Sequence, residues 1–291
     1  MTTALWIAGG LAAVLAAFAA GVAYALWRRL TGRHMRRAEY AARRALIEPY
    51  MRTLYPPGPG PFPAVLILHG CGGVRQVTQA YADAAVKAGC AAVIVDSLKP
   101  RGIDYEAALA QVCTGRVLWG RERAGDLYAA LDVARTDPRL DSRRLAIAGW
   151  SHGGWTILDG LALAQLRIPP DGMQAAPSRP FAGVRGIFLV YPYVSGPALA
   201  RRNAIDPPCP IEAVLVEGDS MASEDDAASV LARAKDAGAA VSWSTLGGVT
   251  HGYDEPDHHP DSALRYDAEA TARTKGAFTD FLKRRLNPKP L

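Results

Sequence analysis

Residues 144–155 read RLAIAGWSHGGW. The first six form an apolar run of strand length, and a helical pattern opens at 152 and continues to 165. Between them Gly149, Ser151 and Gly153 make the pattern G-x-S-x-G, a sharp strand-to-helix turn that holds a serine hydroxyl clear of the backbone. Glycines are needed there because side chains would collide with neighbouring elements. The helix N-terminus also brings positive partial charge to the serine. Ser151 is therefore the candidate nucleophile.

Outward from this turn, short apolar runs alternate with helical patterns. AVLILH (64–69), AAVIVD (91–96), RLAIAG (144–149), VRGIFLVY (184–191), EAVLVEG (212–218) and AVSWSTL (240–246) read as strands. Helices are expected over about 77–88, 121–135, 152–165, 225–236 and 264–285. Strands without strict period-two alternation, separated by helices, imply an α/β fold: a mostly parallel sheet with helices on both faces. A Gly- and Arg-rich loop (97–116) and a Pro-rich stretch (167–182) interrupt this rhythm. The latter reads either as a lid-like insertion or as a surface loop.

A serine is too weak a nucleophile unless a base takes its proton. His251, in the loop after the last strand, is that candidate base. Asp219, just past the strand ending Val216-Glu217-Gly218, is the candidate carboxylate that orients it. Asp225 and Asp226 are alternatives, but they fall within the next helical stretch. The loop His69-Gly70-Cys71-Gly72-Gly73 ends an earlier strand, where a backbone N–H can face a developing oxyanion. The expected donors are the amides of Cys71 and His152, with Gly70 second to Cys71. His69 and Asp96 read as structural residues at strand ends. His258 and His259 with Asp254, Glu255, Asp257 and Asp261 suggest metal ligands by composition, but their Pro-bracketed, polar segment reads better as a solvated loop. No metal or cofactor is expected.

These stretches together resemble the dienelactone hydrolase family of the α/β-hydrolase superfamily. The resemblance rests on L-H-G-C-G-G (68–73), V-D-S-L-K-P-R-G (95–102), G-W-S-H-G-G (149–154), V-E-G-D (216–219) and T-H-G-Y-D (250–254). It implies the α/β-hydrolase fold and ester or lactone hydrolysis. The namesake enzymes use a cysteine nucleophile, whereas this chain carries Ser151 and so is similar to the Ser-type relatives. Arginines bind the substrate carboxylate in the namesakes; Arg101, near the corresponding loop, is the candidate here.

The N-terminus is of a different kind. Residues 4–27 are apolar and uncharged, long enough as a helix to cross a bilayer, with Trp6, Tyr24 and Trp27 near the ends. From 28 to 44 there are seven arginines (28, 29, 33, 36, 37, 43, 44) against one acid, Glu39. The net charge of +5 is thus local, the body is near neutral, and a nucleic-acid-binding groove is not supported. A cleaved signal peptide fits less well, since no basic residue precedes the apolar run, although an A-x-A site occurs at Ala17–Ala19. The expected organisation is a membrane anchor with a basic linker (1–44) and a catalytic domain (45–291). The positive-inside rule places that domain in the cytoplasm.

At 291 residues, 49% hydrophobic and 21% charged, the chain is too apolar for disorder and large enough to bury its own core. Four dispersed cysteines exclude a zinc ribbon and a thioredoxin motif. A Cys71–Cys113 disulfide makes sense only in an oxidising compartment. The expected activity is cleavage of a small-molecule ester or lactone by a Ser151–His251–Asp219 triad through an acyl-enzyme. Peptidase or acyltransferase chemistry on the same triad, or a silent membrane-tethered binding protein, are the alternatives.

Overall fold

The computed structural model describes residues 2–32 and 34–287. Arg33, counted above in the basic cluster, and the side chain of Trp6 lie outside what is described. The helix α1 (Thr2–Leu30) leads through α2 (Tyr40–Ile47) into a sheet of seven strands. The strands are β1 (Met51–Leu54), β2 (Phe62–Leu68), β3 (Ala91–Val95), β4 (Leu140–Trp150), β5 (Val184–Val190), β6 (Ile211–Val216) and β7 (Val241–Leu246). Their order is β1-β3-β2-β4-β5-β6-β7, with every pair parallel except β1 against β3.

β2 and β3 are apolar at every position, and β4 is so from Leu145 on, because both faces are covered there. On β2, Ala64, Leu66 and Leu68 pack on one side, under α5 (Gly120–Thr136), α6 (His152–Leu166) and α7 (Glu224–Asp236). Val65 and Ile67 face the other, under α3 (Gln76–Lys87) and α8 (Ala268–Leu286). Each leucine, valine or isoleucine among them contributes roughly 1.5–3 kcal/mol when removed from water. β7 differs: as an edge it leaves Ser242 and Ser244 exposed.

Chain order reverses between β2 and β4, since β3 lies on one side of β2 and β4 on the other. Leu68 pairs with Gly149, and Trp150 with Val190, so the carboxyl ends of β2, β4 and β5 finish level with one another. Ligand sites of open α/β sheets form in the crevice at such a switch point.

Two segments are more structured than expected. Residues 97–116 contain a 3-10 turn (Lys99–Arg101), the short helix α4 (Tyr105–Ala107) and a π-helical turn (Ala108–Val112). A Cys71–Cys113 disulfide ties this cap to the loop after β2, and Leu98, Ala108, Val112 and Leu118 form its small apolar core. The Pro-rich stretch is neither lid nor loose loop, because Met173 and Phe181 are buried and Asp171 pairs with Arg121 at 2.7 Å.

Helix α1 is long and apolar enough to cross a membrane, and none of its apolar window is buried within the protein. Its end is fixed to the body. Arg29 donates to the carbonyls of Gly115, at 2.8 Å, and Arg116, and its guanidinium lies 4.6 Å from the Trp119 ring centre. Arg121 donates to the carbonyl of Leu30. Beyond, Ala38 donates to the Gly172 carbonyl and accepts from the Gln174 amide, both at 2.9 Å. Residue 44, the expected end of the linker, lies inside α2, whose Arg43 and Ile47 are buried. Arg43 reaches Asp126 of α5 at 2.8 Å, so Arg29 and Arg43 serve the fold, while Arg28, Arg36 and Arg37 are exposed.

Candidate active site

Ser151 sits between β4 and α6 with φ 49° and ψ −110°, a region that non-glycine residues rarely occupy. The surroundings impose it. Its N–H donates to Val190 O at 3.0 Å, and its carbonyl accepts from Trp155 N at 3.0 Å and Tyr193 N at 3.1 Å. A side chain on Gly153 would stand 2.2 Å from the Leu68 carbonyl oxygen, and one on Gly149 would stand 2.6 Å from the Gly153 backbone. The two glycines thus let α6 start against the ends of β2 and β4.

Nε2 of His251 lies 2.9 Å from Ser151 Oγ, and Nδ1 lies 2.6 Å from Asp219 Oδ2. Because Asp219 accepts only, Nδ1 carries the proton and Nε2 offers its lone pair to the serine hydroxyl. The other oxygen of Asp219 accepts from the amides of Met221 at 2.8 Å and Ala222 at 3.0 Å. Burial alone would raise this carboxyl. The hydrogen bond from His251, its charge and the two amides overcome burial and hold it below the usual range. Tyr191 walls the imidazole, its ring centre 4.5 Å away.

The amides of Cys71 and His152 make no backbone hydrogen bond among the described residues, and neither does that of Gly70. All three are free for a ligand oxygen at the mouth of the β2–β4 crevice. His69 is buried: its Nε2 accepts from the Ser97 amide at 3.2 Å and its Nδ1 donates to the Gly70 carbonyl at 2.6 Å. Burial and the charge of Arg123 push its pKa well down. Asp96 accepts from the amides of Leu98 and Lys99, at 2.9 and 3.0 Å, and caps the turn that starts the 97–118 cap.

The profile of the dienelactone hydrolase family matches residues 51–286. The chain belongs to the dienelactone hydrolase family. Membership makes it a hydrolase acting on ester bonds. Its fold is similar to that of a dienelactone hydrolase-like promiscuous phosphotriesterase from metagenomic libraries, at 18% identity and a TM-score of 0.61, covering 81% of this chain and 92% of the other. A dienelactone hydrolase homologue of Klebsiella pneumoniae aligns at 14% identity and a TM-score of 0.59, covering 82% and 92%. Esterase 2 of Thermogutta terrifontis, phosphorylated by paraoxon, aligns at 14% and 0.62, covering 82% and 90%. In sequence, 118 residues are 32% identical to a probable dipeptidyl-aminopeptidase B of Fusarium vanettenii, spanning 40% of this chain and 13% of that protein.

In this dienelactone hydrolase family member Arg101 is committed elsewhere. It grips Asp126 through two bonds of 3.0 Å and donates to the Ser97 carbonyl at 2.6 Å. It therefore fixes the cap to α5 and is not free in the way a carboxylate-binding arginine would be. Asp225 and Asp226 lie in the first turn of α7, and Asp226 bonds Ser195 and Arg201 and not the imidazole.

The acidic segment after His251 is not a uniformly solvated loop. Asp254 is buried and accepts from Tyr81 at 2.9 Å, from the Trp150 indole at 3.1 Å and from Tyr191. It fastens the His251 loop to the elbow on which Ser151 sits. Arg123, also buried, donates to the His69 carbonyl at 2.9 Å, Ser97 Oγ at 3.0 Å and His152 Nδ1 at 3.1 Å. It joins the two loops that carry the free amides. A signal for Asp254 was present in Trp150, since a buried indole N–H calls for an acceptor. His258 and His259 are only partly buried, and no group of three ligands able to hold a metal occurs among the described residues.

Proposed function

We propose that this chain is a serine esterase or lactonase working through an acyl-enzyme. The observation that carries the reading is the unbroken hydrogen-bonded line from Asp219 through His251 to Ser151. Ser151 attacks the ester carbonyl as His251 Nε2 takes its proton, and Asp219 holds the imidazole in the required tautomer and stabilises its charge. The amides of Cys71 and His152 receive the oxyanion. His251 then protonates the leaving alcohol, activates a water against the acyl-enzyme, and returns the proton to Ser151.

A second reading has one observation in its favour, the short stretch of identity to a probable dipeptidyl-aminopeptidase. The same groups would cleave an amide, so matched ester and amide substrates separate the two. A silent binding protein is disfavoured by the intact line of donors and acceptors.

In our reading α1 holds the enzyme to a membrane. None of its apolar window is buried within the protein, and Phe18 is 72% exposed, which suits lipid and not water. The arginines after it place the body on the cytoplasmic side. The Cys71–Cys113 disulfide pulls the other way, because such bonds persist on the oxidising side.

One neighbour is an esterase seen phosphorylated by paraoxon, which commends an organophosphorus probe. The test is fluorophosphonate labelling of the membrane fraction, comparing wild type with Ser151→Ala, His251→Ala and Asp219→Asn. Labelling that requires Ser151 and collapses without His251 is the expected result. Folded wild type that takes no label, or label that survives Ser151→Ala, would overturn the assignment.

A further inference from the structure

Beyond the serine, histidine and aspartate, the carboxyl of Glu255 also borders the cleft. Glu255 follows His251 by four residues and closes a turn in which its N–H donates to the Gly252 carbonyl at 2.9 Å. Its side chain returns toward the loop after β2. A methyl group placed on Gly70 would lie 3.6 Å from Glu255 Oε1 and 3.9 Å from Ser151 Cβ. Carboxyl and nucleophile thus border the same small space beside Gly70. Gly70 has no side chain to fill it.

The neighbours of Glu255 are all engaged. Asp254 takes its three donors, Asp257 pairs with Arg75 at 2.9 Å, and Arg75 also lies 3.8 Å from the ring centre of Tyr105. The Glu255 carboxyl receives no hydrogen bond from any described residue. A partly buried carboxyl beside a nucleophile that receives no hydrogen bond from the protein is satisfied by a partner that is not the protein.

We propose that Glu255 contacts the substrate, its carboxyl meeting an oxygen of the scissile ester lodged beside Gly70. The proposal rests on the serine-hydrolase reading above and adds a residue to it. Charges around the carboxyl come from Asp254 and Asp257 on its own loop, Arg75 at the start of α3, Tyr105 of α4 and Tyr191 after β5. Burial first, then Asp254 and Asp257, push the acid up to about 8, with Arg75 opposing. Below that pH the group is a donor. Above it the group is an anion that can only accept, and it opposes the negative charge growing on the ester oxygen. Catalysis therefore declines as pH rises through about 8. A serine–histidine pair alone gives no such decline, because deprotonation of His251 supplies the base.

The test is the pH dependence of kcat/KM between pH 6 and 10 for full-length protein in detergent with p-nitrophenyl acetate. Wild type, Glu255→Gln and Glu255→Ala are compared, each checked for an unchanged melting temperature. Wild type is expected to lose about tenfold per pH unit once the acid is ionised. Glu255→Gln, which keeps an uncharged donor, is expected to lack the alkaline limb and to retain activity near wild type at pH 7. Glu255→Ala is expected to lack the limb and to fall about tenfold at pH 7, the scale of one lost hydrogen bond. If glutamine destabilises the fold, the alanine variant carries the comparison. A wild type without an alkaline limb, or a limb that persists in the variants, overturns the inference. Fluorophosphonate labelling of Ser151 in the same samples separates this failure from that of the hydrolase reading, which falls only if wild type takes no label.

Discussion

Asp219 accepts three hydrogen bonds, from His251, Met221 and Ala222, and so remains an anion in a largely closed setting. Asp219→Asn would turn one of these acceptors into an amide and favour the wrong tautomer of His251. The expected loss in kcat is about 10⁴-fold with little change in KM, measured under saturating ester. Gly153 tests the turn itself. With 2.2 Å between an added side chain and the Leu68 carbonyl, Gly153→Ala is expected to lower the melting temperature as well as the activity, and a stable, active variant would contradict the packing described. Ser151, Asp219 and His251 were legible because each stands in a local context of strand end, turn and glycine. Asp254 was legible only through the need of the Trp150 indole for an acceptor, and Arg123 was not. Their partners, Tyr81, Trp150 and Tyr191 for one and His69, Ser97 and His152 for the other, lie far away in the chain and meet only on folding.

Elements were readable where apolar period and caps agree. The six strands named from sequence all form, and the boundaries move by a few residues for identifiable reasons. The last helix starts at Ala268 and not at 264 because Asp267 caps it, accepting from the Ala270 amide at 2.8 Å. β1 escaped notice as a four-residue edge strand between prolines that carries a polar Arg-Thr pair at its centre. Nor does composition reveal how the cap, α2 and α5 join. Asp126 of α5 is buried between Arg43 and Arg101. Burial would raise this acid, but the two guanidiniums outweigh burial and lower it. The pairing therefore contributes stability above the unfolded carboxyl pKa, and that contribution is lost as pH falls through the lower folded value. Arg43→Met is expected to cost about 3 kcal/mol at pH 7 in urea unfolding. The cost should shrink in acid, and an equal cost at all pH values would contradict this account.

At the scale of the whole molecule, the fold class and its one apolar N-terminal helix were both visible from sequence. The close joining of that helix to the body was not, because it depends on Gly115, Trp119 and Arg121, residues some ninety positions away. A chain beginning at Arg28 keeps the Arg29 and Leu30 contacts. It is expected to leave the membrane fraction while still taking the fluorophosphonate label, and membrane retention would count against α1 as the anchor. Sidedness has its own readout. The Cys71–Cys113 disulfide is expected to protect both cysteines from alkylation in freshly lysed cells until reductant is added, and alkylation of both without reductant would place the body in the cytoplasm.

The grip of Arg29 and Arg121 across that junction has a mechanical corollary. A catalytic body on a slack leash would sample every tilt and height above the lipid. One clamped at the last turn of its helix behaves as a turret on a post. With α1 as the proposed anchor, it would spin about the post while its cleft kept a fixed altitude, so the reach of the enzyme would be a ring at one depth and not a sphere.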